Sequence, residues 1–279
     1  MATEARTPVL PEVRPSAWGR ISAVMLRQMY LYKRTLHRWL ESVYWPVLDI
    51  TLWGFLSKYI QDATPQSRIG FALLGALISW DILFRAQQSV SVGFLEDMWS
   101  RNVLNVWSTP IRAWEYVTGT ILVGIVRVTI GAGIAIAIAG FAFGFNLVTE
   151  VGLPLLPFLL ALLIMGWSVG VATTAMILRL GQGAEELAWA LAFLFQPFSA
   201  VFYPVDKLPV VMRGIAFFVP ASHVFEGMRA VLLEGAGFPV GQLALAFAID
   251  VLYVVGAAWL FSWSLRQVRM RGLLSRFGE

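Results

Sequence analysis

Six stretches of this chain run for roughly 18 to 28 residues with few charges inside them: about 40–60, 69–92, 116–143, 153–178, 186–203 and 243–265. A helix needs roughly 20 mostly apolar residues to cross a bilayer core about 30 Å thick. In hydrocarbon, every backbone N–H and C=O must find its partner inside the segment or beside it. The runs therefore predict an all-α, polytopic membrane protein with six transmembrane helices. Apolar residues make up 58% of the 279 positions and charged residues 14%, against about half and about a quarter in soluble domains. Too few polar groups exist to cover a water-facing surface, which excludes a soluble enzyme.

Lysine and arginine placement sets the orientation. With both termini inside, fourteen of the 21 basic residues fall on the cytoplasmic side, among them Arg20, Arg27, Lys33, Arg101, Arg112, Arg179 and Arg271. Five fall outside: Lys58, Arg68, Lys207, Arg213 and Arg229. Both termini are thus expected in the cytoplasm. Residues 1–16, broken by Pro8, Pro11 and Pro15, read as a disordered tail, and 266–279 as a basic cytoplasmic tail. The transmembrane domain is expected over 39–265. A net charge of +4 reflects cytoplasmic basic residues beside anionic lipid and does not point to nucleic acid.

Three segments between or beside the runs carry more information. Over 17–38, Trp18, Ile21, Met25, Met29, Tyr32 and Leu36 recur at steps of three and four, with Arg20, Arg27 and Arg34 on another face. This pattern predicts an amphipathic interfacial helix, apolar toward lipid and basic toward headgroups. After the second run come Phe94, Leu95, Glu96, Asp97, Met98, Arg101, Asn102 and Leu104. Early acids and a late base suit a short helix and its dipole, and the mixed charged and apolar groups suit docking into a soluble partner. Past the fifth run, apolar pieces are broken at Pro204, Pro209 and Pro220, with His223, Glu226 and Arg229 following. They are too short to span, and they predict a re-entrant helix pair before the last span.

No catalytic or metal chemistry is visible. None of the three lysines follows a glycine, so no G-x-x-x-x-G-K-[ST] phosphate loop exists. The two histidines lie far apart and cysteine is absent, which leaves no metal site. Ionisable residues inside or at the ends of the runs are Asp49, Asp81, Arg85, Arg127, Glu185, Glu186 and Asp250. Such groups usually face a bundle interior or a cavity. Asp81 and Arg85, four apart, share a helix face and can pair; they either fix packing or line a path. Phe193, Phe195, Phe198, Phe202 and Tyr203 concentrate along the fifth run and its outer end. They suit either packing or a stacking path for sugar rings and acyl chains. A secondary transporter would show repeated halves with matching broken spans, and none is seen.

The chain resembles the permease subunits of type-2 ABC exporters over nearly its whole length from about residue 17. The resemblance is carried by Arg101-Asn102-Val103-Leu104 running to Ser108-Thr109-Pro110, then Phe202-Tyr203-Pro204 through Leu208-Pro209. Pro220 and Glu226-Gly227-Met228-Arg229 complete it. Val219-Pro220 stands where Asn-Pro is common in the family. The resemblance implies a bacterial inner (plasma) membrane permease that forms a dimer, most simply a homodimer, and binds two ABC ATPase subunits. ATP and Mg would sit on those partners, with no cofactor in this chain. The segment Phe94–Leu104 would be the ATPase-coupling helix. A lipid-linked glycan or other lipid-like amphiphile is the favoured cargo, and a drug is the alternative.

Overall fold

The computed structural model describes residues 16–34, 36–64 and 68–272; the side chains of 34–42 and of Gln182 lie outside that description. Of the tails expected over 1–16 and 266–279, residues 1–15 and 273–279 fall outside it, whereas 266–270 are helical. Among the described residues every regular element is helical. In chain order α1 covers Ala17–Arg34, α2 Leu36–Ala63, α3 Ile69–Trp99, α4 Val103–Ser108, α5 Ala113–Phe143 and α6 Leu147–Val151. There follow α7 (Leu155–Leu180), α8 (Leu187–Phe195), α9 (Val210–Phe217), α10 (Pro220–Glu234) and α11 (Val240–Met270).

Helices α3, α5, α7 and α11 have the length and apolarity to cross a membrane. At 1.5 Å per residue the shortest reaches about 39 Å. Helices α9 and α10 make a fifth candidate as a pair bent by 98°. The remaining expected spans take other forms. Helix α2 is long enough, at 28 residues, but Asp49, Lys58 and Asp62 dilute its apolar character, and it does not join the four. The run 186–203 holds only the nine residues of α8 and a 3₁₀ turn at Gln196–Phe198. Pro197 and the left-handed Ala200 (φ 56°) stop the helix, and twelve helical residues rise only about 18 Å.

Helix α7 occupies the centre, with α3 and α11 packed along it; α5 lies on α3, α2 on both, and α10 on α11. The core falls into two apolar clusters. One, around Phe145, Phe158, Leu162 and Phe225, fills the half of the bundle near α9 and α10. The other, around Phe94, Met98, Trp107, Tyr116 and Phe261, fills the half near α4. Buried Gln87 lies between them, donating from Nε2 to Ser91 Oγ and to the carbonyl of Ala188, each at 3.1 Å, which ties α8 to α3.

The α3–α7 contact depends on two glycines. A Cβ at Gly166 would stand 2.5 Å from the Leu83 carbonyl oxygen and 2.8 Å from Ala86 Cβ; one at Gly170 would stand 2.5 Å from the Gln87 oxygen. Spaced four apart, they form the small-xxx-small face that lets membrane helices touch through their backbones. Gly166→Val or Gly170→Val is expected to push α3 and α7 apart at a cost of about 1–3 kcal/mol. The same change at Gly256, which faces open space, should be neutral. Melting temperature and size-exclusion profile of the detergent-solubilised variants check this.

Candidate functional site

The end of the bundle where α3 turns into α5 is built on two buried carboxylates. Asp97 is 2% exposed and Glu115 fully buried, and they bracket the short helix α4. Helix α1 supplies their partners. Arg20 donates from Nε and Nη2 to the two oxygens of Glu115, at 2.8 and 2.6 Å. Arg27 Nη2 donates to Asp97 Oδ2 at 2.6 Å, and Tyr116 O–H donates to the same oxygen at 2.7 Å. Glu115 also accepts from the backbone N–H of Arg112 at 2.9 Å, closing a capping box at the start of α5. The hydrogen bond to Glu115 raises the pKa of Arg20 above its ordinary value. Charge-assisted, forked pairs of this kind are the strong class of hydrogen bond.

This geometry changes two expectations from the sequence. Arg20 and Arg27 do not face headgroups; they turn inward, because carboxylates without partners in so dry a place would cost several kcal/mol. The buried stripe of α1 is Ile21, Val24, Gln28 and Tyr32, while Trp18, Leu26, Met29 and Tyr30 are exposed. Phe94, Leu95, Glu96, Asp97 and Met98 do not belong to a separate docking helix: they are the buried last turns of α3. The chain breaks at Ser100–Asn102, with Arg101 in the left-handed region (φ 53°), and α4 begins afterwards at Val103. Outward-facing groups are Trp99, Arg101, Leu104, Asn105 and Ser108. Inward, Trp107 packs on Tyr116 and Phe261 at 5.3 and 6.3 Å, with Arg269 over its ring at 5.6 Å. Helix α4 is thus fixed to both α5 and α11.

Midway along the bundle, a cavity of about 280 Å³ opens between α2, α3 and α8. Asp49 and Asp81 line it together with Trp53, Phe84, Phe193 and Phe202. Asp81 accepts from Arg85 Nε at 2.5 Å, as the four-residue spacing predicts. Phe202 stacks on Trp53 at 5.5 Å and Phe84 meets Phe193 at 4.9 Å. Of the five aromatics grouped on the fifth run, Phe193 and Phe202 line this cavity; Phe195 and Phe198 pack toward the core, and the Tyr203 hydroxyl donates to the Pro197 carbonyl. Trp53 on α2 and Phe84 on α3 complete the wall, and their spacing of four and three residues from Asp49 and Asp81 was the available signal. Elsewhere, Arg127 lies over the Tyr32 ring at 4.7 Å. Glu185 accepts from Trp99 Nε1 at 2.9 Å, and Glu186 is exposed at the start of α8; both stand at the α4 end. Asp250 is buried with both oxygens unpartnered.

At the opposite end, α10 holds the proline-rich segment in place. Glu226 Oε1 accepts from the backbone N–H of Val205 at 2.9 Å and from Arg229 at 2.7 Å. Arg229 Nη2 donates to the Ala200 carbonyl at 2.8 Å, at the turn that ends α8. His223 bridges the Phe217 carbonyl and Gln242. Pro204 and Pro209 precede the 3₁₀ turn and α9, and Pro220 opens α10. There its missing N–H costs nothing.

A helical bundle with several membrane-crossing helices, a tethered loop helix at one end and a bent helix pair at the other defines a multi-pass membrane protein. The family model described as ABC-2 type transporter matches residues 20–233, about three quarters of the chain, and the protein belongs to that family. It is therefore a transport subunit of the membrane, of a kind that associates with an ABC ATPase. Among curated proteins, none matches the chain.

The latch between α1 and the α4 region sets a testable energy. Asp97→Asn leaves Arg27 without its counter-charge and is expected to destabilise the protein by about 3–5 kcal/mol. Arg27→Gln combined with Asp97→Asn should cost less than the sum of the single changes. A double-mutant cycle on melting temperature reads the coupling, and additivity within about 0.5 kcal/mol would mean the pair contributes nothing.

Proposed function

We propose that the chain is the export permease of an ATP-binding-cassette transporter, acting as a dimer of two copies with two separate ATPase subunits that hold ATP and Mg²⁺. The observation that carries this reading is the two-sidedness of α4. Its outer face, Leu104, Asn105 and Ser108, is bare. Its inner face is bound through Trp107 to α5 and α11, and its flanks through Asp97 and Glu115 to α1. A push on that outer face reaches three elements at once. On this reading α2 and the segment 187–203 complete six crossings, and the α4 end and both termini are cytoplasmic. The α9–α10 pair dips in from outside.

The cargo passes the cavity beside Asp49 and Asp81. Its aromatic wall suits an amphiphile that offers rings or acyl chains to stack against, and a lipid-like or lipid-linked glycan cargo is the first reading. A charge imbalance favours a second one: two carboxylates face a single guanidinium, Arg85. An amphipathic cation such as an aminated drug fits carboxylate and aromatic faces together. Asp49→Asn should cut export of a cationic cargo by about tenfold, the equivalent of about 1.4 kcal/mol. It should leave a neutral glycolipid unaffected.

Two measurements test the main proposal. Single cysteines at Ser108 and Lys207, both exposed, should react with an impermeant thiol reagent from opposite sides; labelling from one side overturns the topology. Leu104→Asp alters only the bare face of α4. ATPase co-purification and cargo-stimulated hydrolysis should both fall by about tenfold, the loss of roughly 1.4 kcal/mol at an interface anchor, with an unchanged melting temperature. Unchanged coupling at equal expression removes α4 from the drive mechanism.

A further inference from the structure

At the α4 end of the bundle, the last turns of α7 and α11 diverge around a cleft of about 280 Å³. Its lining includes the apolar side chains Met176, Leu180 and Leu260. It also includes Arg179, Arg271, Gln267 and Ser264, and no acidic residue. Among the described residues neither arginine makes an ion pair. Arg179 instead lies over the Trp263 ring at 4.2 Å, and Trp263 stacks on Trp259. Ser264 is fully buried, and its hydroxyl has no hydrogen-bond partner. A buried orphan hydroxyl is costly unless something supplies an acceptor.

Taken together these features specify a ligand. Among the described residues, two guanidiniums without an ion pair, a buried hydroxyl without an acceptor and an amide line one cleft that holds no acidic side chain. Beside them an apolar groove runs up two membrane-crossing helices. Basic pockets between transmembrane helices at the membrane surface are where anionic lipid headgroups bind, and arginine matches phosphate geometry through its planar fork of donors. We propose that this cleft is a binding site for one anionic phospholipid. Its phosphate lies between Arg179 and Arg271, with Ser264 and Gln267 as further donors and an acyl chain along Met176, Leu180 and Leu260. The leaflet is the cytoplasmic one on the orientation proposed above.

The test uses the full chain in detergent with three additives: phosphatidylglycerol, phosphatidylcholine of equal chain length, and inorganic phosphate. Phosphatidylglycerol should raise the melting temperature by about 5 °C at about 100 times its Kd, and the other two should not. The combined Arg179→Gln and Arg271→Gln variant should lose that rise, whereas Lys58→Gln, an exposed cation at the other end, should keep it. Because both arginines are exposed, folding is not at stake in the double variant. The charge-conserving Arg179→Lys with Arg271→Lys should retain part of the response. Native mass spectrometry of the wild type should show retained phosphatidylglycerol that the double glutamine variant lacks. An equal response to phosphatidylcholine overturns the headgroup site, and an equal response to phosphate makes it a free-anion site, which also overturns the proposal. A rise that survives in the glutamine variant does the same. Should cysteine labelling place the α4 end outside, the cleft still answers to phosphatidylglycerol and only its leaflet changes.

Discussion

Two carboxylates out of reach of water, Asp97 and Glu115, govern how this protein is put together. They flank the turn between the first two long apolar helices, α3 and α5, at positions where neither helix can satisfy them alone. An ionised group in such surroundings needs a partner whose geometry is nearly ideal. Arg20 and Arg27, seven residues apart on α1, provide two such partners, and the Tyr116 hydroxyl also donates to Asp97. The position of α1 follows from this pairing more than from its affinity for lipid. Once α1 is docked, its buried stripe of Ile21 and Val24 closes over Gly119 on α5, where the absence of a side chain leaves room for Val24. The packing thus follows the electrostatics, and the α4 turn becomes a braced element rather than a free loop.

Much of the plan is visible in the sequence because hydropathy reports on the solvent directly. Helices α3, α5, α7 and α11 overlap apolar runs that carry at most two charged residues each. The Asp81–Arg85 pair is equally legible, since one helix fixes both residues. The latch is not: Arg20 and Glu115 are 95 positions apart, and no local pattern distinguishes an arginine that turns to a headgroup from one that turns to a buried acid. The same ambiguity displaced the expected docking helix. Phe94, Glu96, Asp97 and Met98 have the composition of an exposed amphiphilic segment, yet buried charged pairs produce that composition as well. Helix α8 is shorter than its run for another reason. Its run is largely apolar after Glu186, but Pro197 and the left-handed Ala200 end the helix, and backbone geometry of that kind leaves little trace in hydropathy.

Both ends of the bundle are tied by polar networks while its middle is held by close apolar packing, and this division bears on which parts can move. Helices α3, α7 and α11 meet along their lengths, with Gly166 and Gly170 bringing α7 against the α3 backbone. Packed helices of this kind shift as bodies and do not deform continuously. Helix α8 is held differently. It is fastened by the Gln87–Ala188 and Trp99–Glu185 bonds near its start and by the Arg229–Ala200 bond just past its end. Between those points it presents Trp189, Phe193 and Leu194 outward. The cavity beside Asp49 and Asp81 is therefore walled on one side by a rigid core helix and on the other by a short helix hung from a few hydrogen bonds. On the proposed reading, displacement of α4 loads the core through Trp107, and the wall that yields is the one with the fewest buried contacts. Parting α8 from α3 there separates the Phe84 and Phe193 rings and exposes Asp81 to the cargo, without breaking the Asp97 and Glu115 pairs that transmit the load.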